Sequence, residues 1–227
     1  MSESLVKAYK RGYQDFYGRD FVVSPDVLIP RPETEAIVDE VKLLAGQSYL
    51  PGMKAQKQKL SENPLILDVG TGSGCIAITL KLEIKEAEVV GLDVSSKALR
   101  IARENAEKLG ASVDFVGSDL LCNYRGKVPD VIVANLPYVD ENWEWLDKEA
   151  LSKEPELALY ATNGGLDLIF GLINQAKMLW QNDSGEKWLI LEADPCQHQR
   201  IIKYATERGI SHLKTNDFIL VLCKPQE

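Results

Sequence analysis

The segment Asn135-Leu136-Pro137-Tyr138 combines an amide, a proline and an aromatic ring directly after an apolar run. The Asn135 side-chain oxygen and the Leu136 main-chain carbonyl are two acceptors for the N–H bonds of a planar amide or amino group. Pro137 restricts Leu136 to extended backbone, which aims that carbonyl, and Tyr138 offers a flat ring for stacking. These four residues therefore predict a catalytic site that holds a weakly nucleophilic nitrogen in place.

A glycine loop, Gly70-Thr71-Gly72-Ser73-Gly74, is the second candidate site. Apolar residues around Asp68 predict a short buried strand before it, and glycine lets the backbone turn sharply and approach a ligand closely. The dinucleotide fingerprint G-x-G-x-x-G requires a further glycine where this chain has Cys75. A nucleoside ligand without a pyrophosphate fits better, and S-adenosylmethionine is the common one. A tight strand-to-helix turn of any α/β protein is the alternative interpretation.

Acidic residues further along the chain predict the rest of a nucleoside site. Asp93 ends the apolar run Val89 to Leu92, 19 residues after the glycine loop, close to the offset at which a carboxylate reaches ribose hydroxyls. Asp119 is placed to accept from the exocyclic amine of an adenine, with Leu120 against the ring; an exposed loop aspartate is the alternative. Asn135 is expected to border the same cofactor, so the combined residues predict methyl transfer from S-adenosylmethionine to nitrogen.

The composition is that of an ordinary globular protein. The chain has 227 residues, 45% hydrophobic and 26% charged, with a net charge of −8 and a pI near 5.0. This acidity argues against a nucleic acid partner. The cysteines are scattered and the two histidines lie 14 residues apart, so we expect no metal site. No signal peptide or membrane span is predicted, and we expect a cytoplasmic protein.

Elements that would position these residues follow from the apolar periodicity. Beyond Asp93, the predicted strands are Val113 to Val116, Val128 to Ala134, Trp188 to Leu191, Ile210 to Leu213 and Phe218 to Cys223. Their alternation with helical segments predicts an α/β fold with a seven-stranded, mostly parallel sheet, helices on both faces and the last strand antiparallel. Ser95 as N-cap and Gly110 as terminator predict the bounds of one helix.

An N-terminal extension, a linker and a methyltransferase domain are predicted at residues 1–50, 51–64 and 65–227. In the extension, Ser4 to Tyr17 predicts a short amphipathic helix. Phe21 to Val23 and Val27 to Ile29 predict two strands of a hairpin that turns at Ser24-Pro25-Asp26. A second helix is expected to stop at Gly46.

The run Leu28-Ile29-Pro30-Arg31-Pro32-Glu33-Thr34-Glu35 lies between Phe16-Tyr17-Gly18 and Asp68-Val69-Gly70-Thr71-Gly72-Ser73-Gly74-Cys75. In this combination the chain closely resembles the peptide chain release factor glutamine methyltransferase family, in a short form that lacks most of the family's N-terminal helical domain. The match runs from about Phe16 to the middle of the chain. The resemblance implies a class I, Rossmann-like methyltransferase fold.

The resemblance also implies a reaction and a partner. A peptide chain release factor would present the glutamine of its Gly-Gly-Gln loop, whose side-chain amide nitrogen takes the methyl group, leaving S-adenosylhomocysteine. Arg31, Pro32 and Glu33 would cap the cofactor site and border the substrate channel. Asn135 and Tyr138 would complete that channel. The family resemblance therefore predicts a protein-glutamine methyltransferase.

Two departures from the family pattern keep alternatives open. The family's Asn-Pro-Pro-Tyr has Leu136 in place of its first proline here, and Asn-Leu-Pro-Tyr also resembles the motif of ribosomal RNA adenine dimethyltransferases. An adenine-N6 methyltransferase acting on RNA or DNA is the first alternative. Only 15 residues precede Phe16, where the family carries its helical domain. A partner-dependent or non-catalytic subunit, with an accessory partner in place of that domain, is the second alternative.

Overall fold

The computed structural model describes residues 2–47, 60–146 and 151–226, with only the backbone of residues 2–6. Its strands are β1 (Tyr13–Phe16), β2 (Arg19–Val22), β3 (Leu65–Val69), β4 (Glu88–Asp93), β5 (Asp114–Gly117), β6 (Val131–Ala134), β7 (Lys187–Glu192), β8 (Ser211–Asn216) and β9 (Ile219–Lys224). Its longer helices are α1 (Ser2–Arg11), α2 (Glu35–Leu44), α3 (Cys75–Glu83), α4 (Ser96–Leu109), α5 (Asp167–Trp180) and α6 (His198–Thr206).

One sheet carries the fold, with the spatial order β5-β4-β3-β6-β7-β9-β8. Strands β3 to β7 run parallel to one another, while β9 is inserted antiparallel between β7 and β8. This arrangement confirms the predicted seven-stranded, mostly parallel sheet with an antiparallel last strand. The strand order reverses between β3 and β6, and open α/β sheets bind ligands outside the carboxyl ends of the strands at such a point.

Side chains of the central strand β3 alternate between two cores. Ile66 packs among residues of α2 and α3 on one face of the sheet. Leu67 and Val69 pack among residues of α5 and α6 on the other. Every residue of β3 is buried, as a parallel sheet with both faces covered requires. The predicted placement of helices on both faces is therefore confirmed.

The residues predicted to start or stop helices lie at helix termini in the structure. The Ser95 side chain accepts from the Ala98 N–H at 3.2 Å and caps α4, which terminates at Gly110 with a φ of +68°. Gly46 follows α2 with a φ of +76°. The predicted strand from Val128 is shortened, and β6 begins at Val131. Pro129 has no N–H to donate to a neighbouring strand, which is consistent with the later start.

The hairpin of the N-terminal extension lies earlier than predicted. β1 and β2 pair antiparallel across Tyr17 and Gly18, whose φ angles are +54° and +70°. Two successive residues with positive φ are typical of the type I′ turn that suits a two-residue hairpin loop. The predicted strand Val27 to Ile29 was wrong. The Val27 N–H instead closes a local turn on the Ser24 carbonyl, because a Ser-Pro-Asp signal fixes a turn but not the conformation of the next residues.

The first helix is also shorter than predicted, since Ser4 to Tyr17 is not one helix. α1 ends at Arg11, and Gly12, with a φ of +80°, leads into β1. Phe16 is then buried in an edge-to-face contact with Phe21, their ring centroids 6.0 Å apart. An aromatic-rich segment satisfies helical spacing and strand alternation equally well, so packing against the sheet decided between them.

Two predictions concern the organisation of the chain beyond its elements. Residues 51–59 of the predicted linker lie outside the described residues, so the division at 50 and 64 stays a prediction. Leu60, in the described part of that linker, packs in the same core as Leu44 and Ile84. Within the described ranges, no helix is long and apolar enough to cross a membrane.

Candidate active site

A cleft of about 590 Å³ opens at the carboxyl ends of β3, β4 and β6, and the segment between β2 and α2 also lines it. This volume suits a small molecule. The predicted site residues that line the cleft are Arg31, Gly70, Thr71, Gly72, Ser73, Asp93, Asp119, Leu120, Asn135, Leu136 and Pro137. The fold therefore brings the glycine loop and the segment around Asn135 into one cavity.

Positive φ angles shape the glycine loop. Gly70 and Gly72 have φ values of +77° and +55°, which L side chains rarely adopt. A Cβ on Gly70 would lie 2.9 Å from Leu136 Cδ2, so glycine is what lets the loop approach the Asn135 segment. A Cβ on Gly72 would have no atom nearer than 3.9 Å, which leaves the cleft open beside the Gly72 backbone.

Gly74 serves packing rather than the cleft. Its Cβ would lie 2.8 Å from Ile78 Cδ1 and 3.2 Å from Ala102 Cβ, and it is not among the described residues that line the cavity. The glycine at this position allows α3 and α4 to approach each other. Of the glycines of the loop, Gly70 and Gly72 are thus the two that line the cleft.

Asp93 ties the glycine loop to the start of α4. One carboxylate oxygen accepts from the Gly72 N–H at 2.9 Å and the other from the Ser95 N–H at 2.8 Å. Burial raises the pKa of Asp93, while the backbone donors oppose that rise. A carboxylate has about four acceptor sites, so Asp93 keeps acceptor capacity for a ligand hydroxyl beside its backbone donors. The predicted ribose position of Asp93 is compatible with this arrangement.

Asp68 is buried beneath the same loop. Its Oδ2 accepts from Thr71 Oγ1 at 2.6 Å and from the Ala77 N–H at 3.1 Å, while Oδ1 has no partner in the described structure. Burial raises the pKa of Asp68 to about 7. The carboxylate joins the loop to the first turn of α3 and so fixes the path of the backbone between them.

Asp119 and Leu120 follow β5, at the rim of the cleft. Leu120 has a φ of +49°, an uncommon backbone conformation for a branched side chain. The next N–H, of Leu121, donates to Gln175 Oε1 on α5 at 2.7 Å, which holds the strained turn in place. The predicted contact of these residues with an adenine stays a prediction.

A chain of side-chain hydrogen bonds lies behind the Asn135 segment. Asn135 Nδ2 donates to Thr34 Oγ1 at 3.0 Å, and Thr34 donates to Glu192 Oε2 at 2.7 Å. Tyr138 Oη donates to the other oxygen of Glu192 at 3.0 Å. Burial and the charge of Glu192 raise the pKa of Tyr138, so the phenol stays protonated. Asn135 and Tyr138 are therefore held by one carboxylate from another strand.

The Tyr138 main chain is held just as tightly. Gln197 Nε2 donates to the Tyr138 carbonyl at 2.7 Å and to the Gly164 carbonyl at 2.7 Å. Gly165, with a φ of +78°, packs so closely that a Cβ there would lie 1.9 Å from the Tyr138 oxygen. Tyr138 itself is not among the described residues that line the cavity; it lies behind the cleft wall.

Arg31 lines the cleft but is already paired. Its guanidinium forms an ion pair with the carboxylate of Glu154, whose side chain is fully buried. Glu154 also accepts from the Ile29 N–H at 3.0 Å. The pair fastens the proline-rich segment to the long connection after β6. The predicted substrate contact of Arg31 stays a prediction, and its observed partner is Glu154.

The remaining predicted substrate residues lie away from the cavity. Pro32 and Glu33 form a 3₁₀ turn with Thr34, directly before α2. Neither Pro32 nor Glu33 is among the described residues that line the cleft. They directly precede Thr34, whose side chain is buried beside Asn135.

Sequence reasoning missed Thr34, Glu154 and Glu192 as site residues. Thr34 lies inside the run Leu28 to Glu35. A threonine between two glutamates is also typical of a helix start, so its type and position did not indicate a site residue. Glu192 carried a usable signal, because it ends the buried strand β7 as Asp93 ends β4. Glu154 carried none, since no local pattern pairs it with Arg31, 123 residues away.

Comparisons with known proteins find methyltransferases. A family model described as "Methyltransferase small domain" matches residues 51–151. The release factor glutamine methyltransferase of Koribacter versatilis is 40% identical over 224 residues, covering 96% of this chain and 74% of that protein. The protein of the same name from Bacillus subtilis is 41% identical over 172 residues, covering 74% of this chain and 56% of that protein.

A solved structure supports the fold independently. The crystal structure of a methyltransferase from Pyrococcus furiosus superposes with a TM-score of 0.62 at 18% identity and covers 98% of both chains. At this identity the likeness establishes the class I methyltransferase fold alone. The curated relatives are longer than this chain, which spans about half to three quarters of their length.

Proposed function

The chain belongs to the release factor glutamine methyltransferase family, and from this membership we propose that it methylates the side-chain amide nitrogen of a glutamine in a protein. The proposed substrate is the Gly-Gly-Gln glutamine of a peptide chain release factor, as the names of its relatives suggest. The proposed methyl donor is S-adenosylmethionine. The observation that carries the proposal is the close approach of the glycine loop to the Asn135 segment within one cleft.

The donor side of the cleft fits a nucleoside. Gly72 leaves open space where another residue would place a Cβ, Asp93 offers carboxylate lone pairs, and Leu120 offers an apolar surface at the rim. These residues would hold S-adenosylmethionine, with Asp119 beside Leu120. When bound, the donor supplies an electrophilic methyl group on a sulfonium.

The acceptor side supplies two hydrogen-bond acceptors. Among the described residues, no hydrogen bond ends on Asn135 Oδ1 or on the Leu136 carbonyl. We assign these two oxygens to the two N–H bonds of the substrate amide, which orients its nitrogen and stabilises the positive charge that develops there. Tyr138, which is not among the described residues that line the cleft, remains the proposed stacking wall for the substrate amide.

No general base is required by this scheme. The amide nitrogen loses a proton after methylation, when it has become strongly acidic, and water accepts it. The cleft residues therefore contribute orientation and electrostatic stabilisation rather than proton transfer. This division of labour is consistent with a cleft in which His198, the buried histidine, bonds the Ala193 carbonyl instead of facing the substrate.

Mass spectrometry of a release factor tests the proposal directly. The full chain is incubated with S-adenosylmethionine and a full-length release factor, and the Gly-Gly-Gln peptide is examined for a gain of one methyl group on glutamine. A release factor with Gly-Gly-Asn in its loop is the matched control, because it keeps an amide but shortens its reach. Methylation confined to the glutamine is the expected result.

Labelled RNA in the same assay provides the contradicting outcome. If adenine in RNA gains the methyl group and the release factor stays unmodified, the proposed glutamine substrate is wrong. The substrate is then the exocyclic amine of adenine. A chain that binds the donor in calorimetry but modifies neither substrate would point to a partner-dependent subunit. Each result favours a different one of the three functions: a protein-glutamine methyltransferase, an RNA methyltransferase or a partner-dependent subunit.

A further inference from the structure

The chain of hydrogen bonds behind Asn135 joins residues from distant segments. Thr34 lies in the turn before α2, Asn135 and Tyr138 follow β6, and Glu192 ends β7. Thr34 and Glu192 are almost fully buried, at 2% and 3% exposure. A buried carboxylate is retained when its hydrogen bonds are satisfied, and both Glu192 oxygens have a partner here.

The direction of every bond in this chain follows from the carboxylate. An ionised Glu192 only accepts hydrogen bonds, so Thr34 must direct its hydroxyl hydrogen toward it. Thr34 Oγ1 can then only accept from Asn135, which must present its Nδ2 at 3.0 Å. The Asn135 Oδ1 atom is left to face the other way. A buried charge thus sets which end of the Asn135 amide is available to a ligand.

We infer that Glu192, acting through Thr34, is the positioning residue that directs Asn135 Oδ1 toward the substrate amide. This inference rests on the proposed function, because it assigns Oδ1 to a substrate N–H. A reversed Asn135 amide would place an N–H group against the N–H group of the substrate. Two donors would then face each other, and the substrate nitrogen would lose its orientation. The same carboxylate fixes the Tyr138 ring through its second oxygen.

Protonation of Glu192 would remove this control. Burial, reinforced by the nearby charge of Glu33, raises the pKa of Glu192, while the bonds from Thr34 and Tyr138 oppose the rise. The Asn135 amide also lowers this pKa, so the carboxylate favours the Nδ2 end of Asn135 directly as well as through Thr34. A protonated oxygen would donate to Thr34, which would then be free to donate to Asn135 Oδ1. The charged and titratable groups around the Glu192–Tyr138 pair are Glu33, Asp194, Arg31 and Cys75.

The expected signature is a pH dependence that affects turnover alone. Activity is present above the pKa of Glu192 and is lost as the pH falls through it. Because that pKa is raised, the loss begins at a higher pH than for an exposed glutamate. Donor affinity should not follow the same curve, since Glu192 is not among the described residues that line the cleft.

Threonine variants test the positioning role. Thr34→Val keeps the shape and removes the hydroxyl, and should lower kcat about 10- to 100-fold, since misplacement by ~1 Å costs rates of that order. Thr34→Ser should restore most of the loss. Thr79→Val is the matched control, because Thr79 is equally buried and its Oγ1 has no partner in the described structure. Wild-type kcat in Thr34→Val would overturn the inference.

Side-chain NMR separates this inference from the proposed function. The Asn135 amide signals in ¹H–¹⁵N spectra, assigned by their loss in Asn135→Ala, should shift with pH in the wild-type chain and lose that response in Glu192→Gln. An unchanged pH response in Glu192→Gln would overturn the positioning role whatever the enzyme methylates. An inactive wild-type chain that still shows the expected shifts would instead overturn the proposed function.

Discussion

Asp68 and Glu192 are both buried carboxylates beside the cleft, and their partners differ in distance along the chain. Asp68 bonds Thr71 and Ala77, three and nine residues further on. Glu192 bonds Thr34 and Tyr138, 158 and 54 residues away. The glycine loop above Asp68 is therefore fixed by local contacts. The acceptor side is fixed by side chains that meet only when the sheet and the N-terminal extension have packed together.

This difference implies different responses to substitution. A site held by nearby backbone groups depends on a few neighbouring residues, so a substitution there should weaken donor binding without changing the acceptor side. A long-range side-chain network transmits a change in any member to the others. Measuring donor binding and turnover separately in each variant therefore tests whether the two sides of the cleft are independent.

Asn135→Ala should cause the largest loss of turnover. Removing one transition-state acceptor lowers kcat on the order of 10²-fold or more. Donor affinity, measured by calorimetry with S-adenosylhomocysteine, should change far less, because we assign Asn135 Oδ1 to the substrate amide. A comparable loss of donor affinity would place Asn135 in the donor site and break the comparison.

Gly165→Ala should damage the acceptor side through its packing. The new Cβ would lie 1.9 Å from the Tyr138 oxygen at a φ of +78°, so the backbone must move. We expect a loss of about 3 kcal/mol or more in the free energy of unfolding, together with lower kcat.

Gly209→Ala is the matched control for that variant. Gly209 has a φ of +81° but no atom within 4 Å of the added Cβ. Urea unfolding should therefore show a loss of only about 1–2 kcal/mol in the free energy of unfolding, which is the cost of the left-handed backbone conformation for alanine. Equal destabilisation by the two substitutions would show that contact with Tyr138 does not matter.

Asp93→Asn should weaken the donor side selectively. An asparagine cannot accept on both sides, so either the Gly72 or the Ser95 N–H loses its partner. The charged acceptor proposed for the ribose hydroxyls also becomes a neutral amide. Hydrogen bonds to a charged group contribute about 1.5–3 kcal/mol, so the loss of that contact should raise the donor Kd ~10-fold or more. Turnover at saturating donor should stay near the wild-type value. An unchanged Kd would contradict the assignment of Asp93 to the donor.

Asp68→Asn should have the smallest effect on turnover, and its effect should be visible in the pH dependence of stability. Burial raises the pKa of Asp68 from 3.8 to about 7, so between these values the folded chain holds a proton that the unfolded chain has lost. Stability from this group is therefore fully present below pH 3.8 and falls as the pH rises toward 7. The variant should show a shallower decline in the free energy of unfolding across that range, measured by urea titration. An unchanged slope would exclude Asp68 as its source.

Much of the donor side could be predicted from sequence because its determinants are neighbours. Glycine at 70 and 72 is required by positive φ angles within one loop, and Asp93 reaches that loop from the adjacent parallel strand. Most of the sheet was predictable for a similar reason, since β3, β4, β6, β7 and β9 each carry their own apolar run. Gly74 shows the limit, because its contact with Ala102 depends on how two helices cross.

The sequence by itself determined the alternating strands and helices, the glycine loop, Asp93 and the position of the Asn135 segment at the end of β6. Tertiary structure alone decided that Thr34 meets Asn135, that Glu192 orients both Asn135 and Tyr138, and that Arg31 pairs with Glu154. It also decided where the N-terminal hairpin forms. The physical reason is range: backbone conformation and periodicity act over a few residues, whereas buried polar side chains are satisfied only by partners that the completed fold delivers.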